Sequence, residues 1–179
     1  MSEQELERLK YPIGRVSFDP NVTEEARASR IEGAAAIPAG LRAAVAGLND
    51  EQLDTLYRPG GWTVRQVAHH TADASMTMYT RFKLALTEEK PLVKTFEENE
   101  WVKLVDSAKL PVEPALLMLD GLHARIDAVL RSLPASAFST TFLHPANGEM
   151  TLDQLLSYFA WHGKHHTAQI TALRERSGW

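Results

Sequence analysis

The chain has 179 residues, of which 44% are hydrophobic and 23% charged, with 19 Lys plus Arg against 23 Asp plus Glu. These values predict one domain over residues 1–179 with a packed core, and they argue against disorder. The net charge of −4 argues against nucleic-acid binding. The chain has no cysteine, which excludes disulfides, thiolate metal sites and a cysteine nucleophile. Because no apolar segment approaches about 18 residues and the N-terminus is charged, we expect a soluble, cytoplasmic protein without a membrane segment.

The N-terminal part of the chain combines a lead-in with a first amphipathic helix. Residues 1–22 carry turn formers without a period, and we expect an extended lead-in that lies on the domain. Thr23 is a suitable N-cap, and helical character continues from there to about Gly47. Pro38 interrupts this segment and predicts a kink or the first turn of a second helix.

Two capping boxes mark the starts of the second and fourth helices. Thr63–Gln66 and Thr151–Gln154 share the spacing in which a threonine and a glutamine satisfy each other's backbone N–H groups. Apolar residues at steps of three and four then predict helices over about 64–87 and 152–176. A third helix is expected over about 113–133.

A long polar connection separates the second and third helices. Residues 88–113 contain Pro91 and Pro111, with Pro114 directly after them, and include a segment, 97–106, that predicts a short helix. Residues 138–150 predict either a small hairpin or an irregular loop. Four amphipathic helices with one long connection indicate an all-α fold, a four-helix bundle with a crossover between helices 2 and 3.

Two histidines occupy core positions of the predicted fourth helix. Its inward stripe contains Leu152, Leu155, Phe159, His162, His166, Ile170 and Leu173. Residues four apart lie one turn apart, with Cβ atoms about 5–6 Å from each other, so His162 and His166 can share one cation. Burying two imidazoles without a partner costs free energy, which indicates that something binds them.

A third histidine lies on the apolar face of the second helix. His70 follows Val67 by three residues and precedes Ala74 by four. Together, His70, His162 and His166 predict an open three-histidine metal site that leaves a position for water or substrate. Imidazoles suit zinc, nickel, iron and copper, and the sequence does not choose among them. The spacing permits the three rings to meet without proving it, and surface or hydrogen-bonded histidines are the alternative.

The other histidines have plainer interpretations. We expect His165 to point away from the two site histidines of its helix, and His69 to lie on the polar flank of the second helix. His123 borders the inward stripe of the third helix and is interpreted as a buried, hydrogen-bonded histidine in preference to a site residue. His144, next to a proline, is expected in a loop that rims a pocket.

Two arginines and several aromatic residues lie near these histidines in the sequence. Arg58 and Arg81 are candidate partners for a substrate carboxylate, although any surface arginine meets that description. Trp62 can act as a hydrophobic staple at the start of the second helix, and Trp161 is adjacent to His162. We interpret the aromatic residues as packing and not as substrate contacts.

The segment from His162 to His166 carries no glutamate between the two site histidines, unlike the HExxH motif. A hydrolase would therefore need a general base from elsewhere, for which the candidates are Asp73, Glu149 and Asp153. A transferase that uses an external thiol needs no such base, because the metal itself keeps the nucleophile deprotonated.

Two motifs resemble the DinB/YfiT family of metalloenzymes, and the YfiT-like members in particular. The first is Tyr57-Arg58-Pro59-Gly60-Gly61-Trp62-Thr63-Val64-Arg65-Gln66-Val67-Ala68-His69-His70, followed by Asp73 and Arg81-Phe82-Lys83-Leu84. The second is Trp161-His162-Gly163-Lys164-His165-His166, with the closing Arg176-Ser177-Gly178-Trp179. The motifs occur in order, and the resemblance extends from Tyr11-Pro12-Ile13-Gly14 over nearly the whole chain.

The resemblance implies a four-helix bundle that forms a homodimer and binds one divalent metal, zinc or nickel, per subunit. The implied ligands are His70, His162 and His166. Members of the family are described as metal-dependent hydrolases, and relatives transfer low-molecular-weight thiols such as bacillithiol or mycothiol. We therefore expect a thiol S-transferase that acts on a small-molecule electrophile. The alternatives are a hydrolase of a small amide or ester and a non-catalytic metal-binding dimer.

Overall fold

The computed structural model describes residues 2–179, which fold mainly into helices. The helices are α1 (Glu3–Lys10), α2 (Glu24–Ala35), α3 (Ile37–Val45), α4 (Asp50–Leu53), α5 (Val64–Thr87), α6 (Glu98–Trp101), α7 (Val105–Lys109), α8 (Glu113–Ser132) and α9 (Leu152–Ser177). A 3-10 turn at Ala135–Ser139 leads into an antiparallel hairpin of β1 (Thr141–His144) and β2 (Gly148–Thr151). Within this part of the chain, no helix combines the length and hydropathy that a membrane crossing requires.

The two capping boxes fix the starts of the longest helices, as predicted. Thr63 Oγ1 accepts a hydrogen bond from the backbone N–H of Gln66, whose side chain accepts one from the Thr63 N–H. Thr151 and Gln154 form the same pair at the start of α9. Each box satisfies two N–H groups that the first turn of a helix leaves without partners.

The expectation of an extended lead-in over residues 1–22 is wrong for its first half. Ser2 and Glu5 form a capping box that starts α1. Acidic side chains in the first turn and basic ones in the last also favour that helix through its dipole. The following residues have no regular secondary structure and lie on α9, where the Trp161 indole N–H donates to the Gly14 carbonyl at 3.1 Å.

Three further segments differ in detail from the sequence prediction. The first helix divides into α2 and α3, with Pro38 in the first turn of α3, where a missing N–H costs no hydrogen bond. The expected short helix in the long connection is two short helices, α6 and α7. Residues 138–150, for which a hairpin and an irregular loop were both open, contain the β1–β2 hairpin.

The bundle consists of α2 with α3, then α5, α8 and α9. Helix α5 packs against α8 and α9, and α2 and α3 pack against the same two helices. The α2–α3 pair and α5 thus occupy diagonally opposite positions of the bundle, and each is adjacent to both α8 and α9. The residues between Thr87 and Glu113 carry the chain from α5 to α8, and Leu92 bridges to Leu143 of the hairpin on the way. This confirms the four-helix bundle with a long connection between helices 2 and 3.

The core divides into two apolar clusters, with buried histidines between them. The first cluster includes Phe82, Phe142, Phe159, Ile126 and Leu130. The second includes Leu41, Val67, Leu119, Ile170 and Leu173. Because the start of α5 shares a cluster with the end of α9, these two helices run antiparallel. The second turn of α5, which carries His70, therefore lies beside the middle of α9, which carries His162 and His166.

A glycine permits the close approach of α9 to α3. A Cβ atom at Gly163 would lie 2.5 Å from Cγ1 and 2.6 Å from Cγ2 of Ile37, and closer still to its Cδ1. Those distances are well below van der Waals contact, so the two helices cannot keep their spacing with a larger residue. At Gly121, in the middle of α8, a Cβ atom would have no neighbour within 4 Å.

We expect Gly163→Ala to lower the free energy of unfolding by about 1–3 kcal/mol, because the added methyl group overpacks the α3–α9 contact. Gly121→Ala is the matched control and should raise it by up to about 1 kcal/mol through helix propensity. Denaturant unfolding of both variants measures the difference. Equal effects of the two substitutions would show that the approach of the helices is not close.

Candidate metal centre

Three imidazole rings meet in the middle of the bundle. His70 Nε2 of α5 lies 3.3 Å from His162 Nε2 of α9, and His166 Nε2 lies 3.2 Å from the same atom. The three ligand atoms all lie within 4.8 Å of one another, and all three side chains are buried. The structure thus brings together the three histidines that the sequence singled out.

Burial keeps these rings neutral at pH 7. Burial, with a smaller contribution from the neighbouring His165, lowers the pKa of His70 to about 4. Burial also lowers the pKa values of His162 and His166 well below the usual range, and the other rings of the group act in the same direction. A neutral imidazole has one nitrogen with a free lone pair, which is the form that binds a metal.

Hydrogen bonds cannot account for both contacts between ring nitrogens. His166 Nδ1 donates to Gln169 Oε1 at 2.9 Å, so the Nε2 of this neutral ring carries a lone pair. His162 Nε2 carries either one proton or one lone pair, and it cannot form an ordinary hydrogen bond with both neighbours. A cation accepts lone pairs from all three nitrogens at once and removes this conflict.

The spacing of the nitrogens also fits a metal ion. In a tetrahedral site with metal–nitrogen bonds of about 2.0–2.1 Å, two ligand nitrogens are about 3.3–3.4 Å apart. The observed separations of 3.2 and 3.3 Å agree with that value. No Asp or Glu oxygen among residues 2–179 belongs to the group, so its ligand set is three neutral imidazoles.

Gln169 connects the three-histidine group to the N-terminal segment. Its Oε1 accepts from His166, while its Nε2 donates to the Lys10 carbonyl at 2.8 Å and contacts His165 Nε2 at 3.0 Å. The amide thereby fixes the proton of His166 on Nδ1 and directs the lone pair of Nε2 into the group. Sequence analysis gave Gln169 no role, because the partner at Lys10 comes from a distant part of the chain.

Aromatic side chains pack against the histidine rings where the ring nitrogens form no hydrogen bonds. His70 Nδ1 is buried without a hydrogen-bond partner among the described residues. Its ring lies 4.6 Å from the Trp62 ring and 6.2 Å from that of Phe96, measured between centroids. Trp62 also stacks on His166 at 6.1 Å. Trp62 is therefore part of the wall of the site, and the interpretation as a staple alone missed this.

A cavity of about 1000 Å³ opens onto the three histidines. Its walls come from α5, α9, the hairpin, the long connection and the N-terminal segment. Of the three candidate bases, only Glu149 lines it, and Lys90 pairs with this carboxylate at 2.7 Å and lowers its pKa. Asp153 binds Arg27. Burial, with a smaller contribution from the charge of Asp106, raises the Asp73 pKa to about 6.

The remaining histidines lie outside the group. His123 is buried and contacts the Ala34 carbonyl at 2.8 Å and Ser75 Oγ at 3.1 Å, as expected for a hydrogen-bonded core residue. His165 stacks on the indole of Trp161 and contacts Gln169. Its ring also lines the cavity, 4.8 Å from that of His166 between centroids, although it is not a member of the three-histidine group. His144 lines the cavity, as expected, but from β1 and not from a loop.

The prediction that His69 lies on a polar flank is wrong. The side chain is buried, because the connection from α7 to α8 covers this face of α5 near Leu110 and Pro111. Sequence periodicity within α5 carries no information about that covering segment. His69 does not line the cavity, which makes it a useful control for its neighbour in sequence.

Comparison with known proteins assigns the family. The sequence profile of the DinB superfamily matches residues 35–170. A Geobacillus kaustophilus protein named "Putative metal-dependent hydrolase" is 49% identical over 176 residues, which are 97% of this chain and 98% of that protein. A protein of the same description from Bacillus mycoides is 47% identical over 174 residues, covering 97% and 100% of the two chains.

A solved structure supports the same assignment. YfiT from Bacillus subtilis, described as a probable metal-dependent hydrolase with an unusual four-helix bundle topology, matches with a TM-score of 0.93 and 43% sequence identity. The match covers 96% of this chain and 99% of YfiT. The chain therefore belongs to the DinB superfamily, and the resemblance to its YfiT-like members is confirmed.

Substitution His162→Ala should remove most of the bound metal while the fold remains, because His162 contacts both other rings and α9 keeps its apolar side chains. Elemental analysis of untagged protein, together with circular dichroism, measures both properties. His69→Gln should keep its metal, since that side chain lies outside the cavity. Retention of metal by His162→Ala would contradict the assignment of this ligand.

We expect Gln169→Leu to weaken metal binding about 10- to 100-fold, because His166 loses the acceptor that fixes its proton on Nδ1. Gln169→Glu keeps an acceptor at that position and should keep most of the affinity. Competition with a chromogenic chelator measures both variants. If the leucine variant binds metal like the unaltered protein, the amide does not position His166.

Proposed function

We propose that this protein is a metal-dependent enzyme that transfers a low-molecular-weight thiol to a small electrophile. In this proposal, His70, His162 and His166 hold one divalent ion, zinc or nickel, per subunit. The observation that carries it is the convergence of three neutral Nε2 atoms at a large cavity without a carboxylate in the group. The homodimer and the cytoplasmic location stay predictions from the sequence.

The chain's own residues prepare the site for such a reaction. When bound, a divalent ion supplies a Lewis acid that lowers the pKa of a thiol or a water molecule at its free position. Because the three imidazoles are uncharged, they would not compensate the positive charge of a bound divalent ion. Trp62 and Phe96 pack against His70 and shield that side of the site from water. Since the chain has no cysteine, the reacting sulfur must come from a cosubstrate.

The proposed transfer is a substitution at carbon. The thiol of the cosubstrate loses its proton to solvent, and its sulfur forms a bond to the electrophilic carbon. The bond from that carbon to the leaving group breaks, and the leaving group departs with the electron pair. The reaction requires neither an oxidant nor a reductant.

The distribution of acidic groups favours a thiol over water as the nucleophile. Attack by water calls for a general base beside the reacting atoms. Among the cavity residues, the only acidic side chains are Glu98, which is exposed, and Glu149, which is paired with Lys90. A thiol is more acidic than water and needs no such base.

Hydrolysis of a small amide or ester is the second candidate function. The names of the relatives from Geobacillus kaustophilus and Bacillus mycoides favour it, as does the description of YfiT. In that case Glu149 would be the base, after release from Lys90. The two functions differ in whether turnover requires an added thiol.

A substitution assay distinguishes these functions. Zinc- or nickel-loaded protein is mixed with 1-chloro-2,4-dinitrobenzene and, in separate reactions, bacillithiol, cysteine or glutathione. We expect a metal-dependent rate with at least one thiol that is absent from His162→Ala and retained by His69→Gln. Metal-dependent cleavage of 4-nitrophenyl acetate or 4-nitroacetanilide without thiol, and no rate with any thiol, would instead establish hydrolysis and overturn the transferase.

A further inference from the structure

Arg81 of α5 is a buried cation in the wall of the cavity. Its side chain is 9% exposed, Nη2 donates to the Lys94 carbonyl at 3.0 Å, and Nε is buried without a hydrogen-bond partner among the described residues. Burial lowers the pKa of Arg81, Tyr158 opposes this effect, and no carboxylate contributes to it. No carboxylate of residues 2–179 therefore balances this guanidinium.

The other arginine that is buried to a similar degree has acidic partners. Arg65 is 4% exposed and pairs with Asp50 and Asp54 at 3.0 and 2.7 Å. A guanidinium remains charged in proteins, and burying it without an opposite charge is unfavourable. The contrast indicates that the partner of Arg81 comes from outside the chain, through the cavity that this residue lines.

Two further hydrogen-bond donors line the cavity in the electrostatic field of Arg81. His144 Nδ1 accepts from the backbone N–H groups of Ala146 and Asn147, each at 3.3 Å, so the proton of this ring is on Nε2. Burial raises the pKa of the Tyr158 hydroxyl, which remains a donor. Arg81, His144 and Tyr158 all line this cavity, and the charge of Arg81 acts to lower the pKa values of the other two groups.

These donors share the cavity with the three-histidine group but lie at another level of it. Arg81 follows His70 by 11 residues, which is within about 20° of three full helical turns and about 16 Å along the axis. Ala74 and Thr77 line the cavity between them. Tyr158 precedes His162 by one turn, and their ring centroids are 5.5 Å apart.

We infer that Arg81, His144 and Tyr158 form a subsite for an oxyanionic group, a carboxylate or a phosphate, of the substrate. The planar fork of a guanidinium matches both groups. Of the two acidic residues that line the cavity, Glu149 is paired with Lys90 and Glu98 forms no ion pair with Arg81. The substrates would accordingly be anionic molecules, with the charged end at Arg81 and the reacting end at the three histidines. The position of the reacting end rests on the proposed function, whereas anion binding does not require the metal.

Calorimetry with metal-free protein tests the subsite, because it prevents a carboxylate from binding to the metal. The probes are hexanoate and hexyl phosphate, with hexanamide as the neutral match. We expect at least one anion to bind more tightly than the amide, and Arg81→Met to weaken it about 10- to 100-fold, as for the loss of a charge-assisted hydrogen bond. The anion that binds more tightly identifies the charged group of the substrate as a carboxylate or as a phosphate.

Two further variants separate recognition from a structural role of Arg81. Arg58→Met removes the other arginine of the cavity, whose guanidinium is bound to the Tyr57 hydroxyl and the Pro59 carbonyl, and should leave anion binding unchanged. Arg81→Lys keeps the charge without the fork and should bind with intermediate affinity, which also covers the case that Arg81→Met fails to fold. Removal of an unbalanced cation should leave the melting temperature of Arg81→Met equal or higher.

The outcomes distinguish this inference from the proposed function. Equal affinity for hexanoate, hexyl phosphate and hexanamide, or anion binding that survives Arg81→Met, would overturn the subsite even if the thiol assay succeeds. A lower melting temperature of Arg81→Met without selective anion binding would show a structural role and overturn it too. Selective anion binding in a protein that fails the thiol assay would support the subsite and reject the transferase alone.

Discussion

The structure depends on how three imidazoles are accommodated in the middle of a helical bundle. Burying ring nitrogens among apolar side chains without a partner costs free energy, yet His70, His162 and His166 lie between two apolar clusters. Their Nε2 atoms face one another at distances that hydrogen bonds cannot satisfy together. A shared cation is the partner that uses all three lone pairs, so the three buried Nε2 atoms are all satisfied when a cation is bound.

The rest of the fold keeps these rings in place. The antiparallel arrangement of α5 and α9 brings the second turn of α5 to the level of the middle of α9. Gly163 allows α9 to approach α3 closely. The N-terminal segment reaches over α9 and receives a hydrogen bond from Gln169, which in turn fixes the tautomer of His166. Trp62 packs against two of the three rings. Segments that are far apart in the sequence thus all contribute to holding the three histidine rings in position.

The sequence predicts those features that arise within a single helix. Thr63 and Thr151 start their helices through local capping boxes, and the apolar stripe of α9 shows two histidines where leucine or phenylalanine would be expected. Such signals depend on neighbours within one or two turns, and they were sufficient for the fold class and for the three candidate ligands.

The sequence does not predict features that depend on which distant segment covers a surface. The burial of His69 results from the connection before α8, and the role of Gln169 results from the carbonyl of Lys10. Helix α1 has a local signal in Ser2 and Glu5, but Leu6 and Leu9 are its only apolar residues and it buries no side chain. Arg81 looks like a surface arginine until the hairpin and the connection are placed around it.

Anomalous diffraction from crystals of the untagged protein grown with zinc tests the central claim most directly. The account predicts one strong anomalous peak per chain in the middle of the bundle, within bonding distance, about 2.0–2.1 Å, of the Nε2 atoms of His70, His162 and His166. Three side chains that keep their positions with no peak among them, or a peak bound only by surface carboxylates, would contradict it.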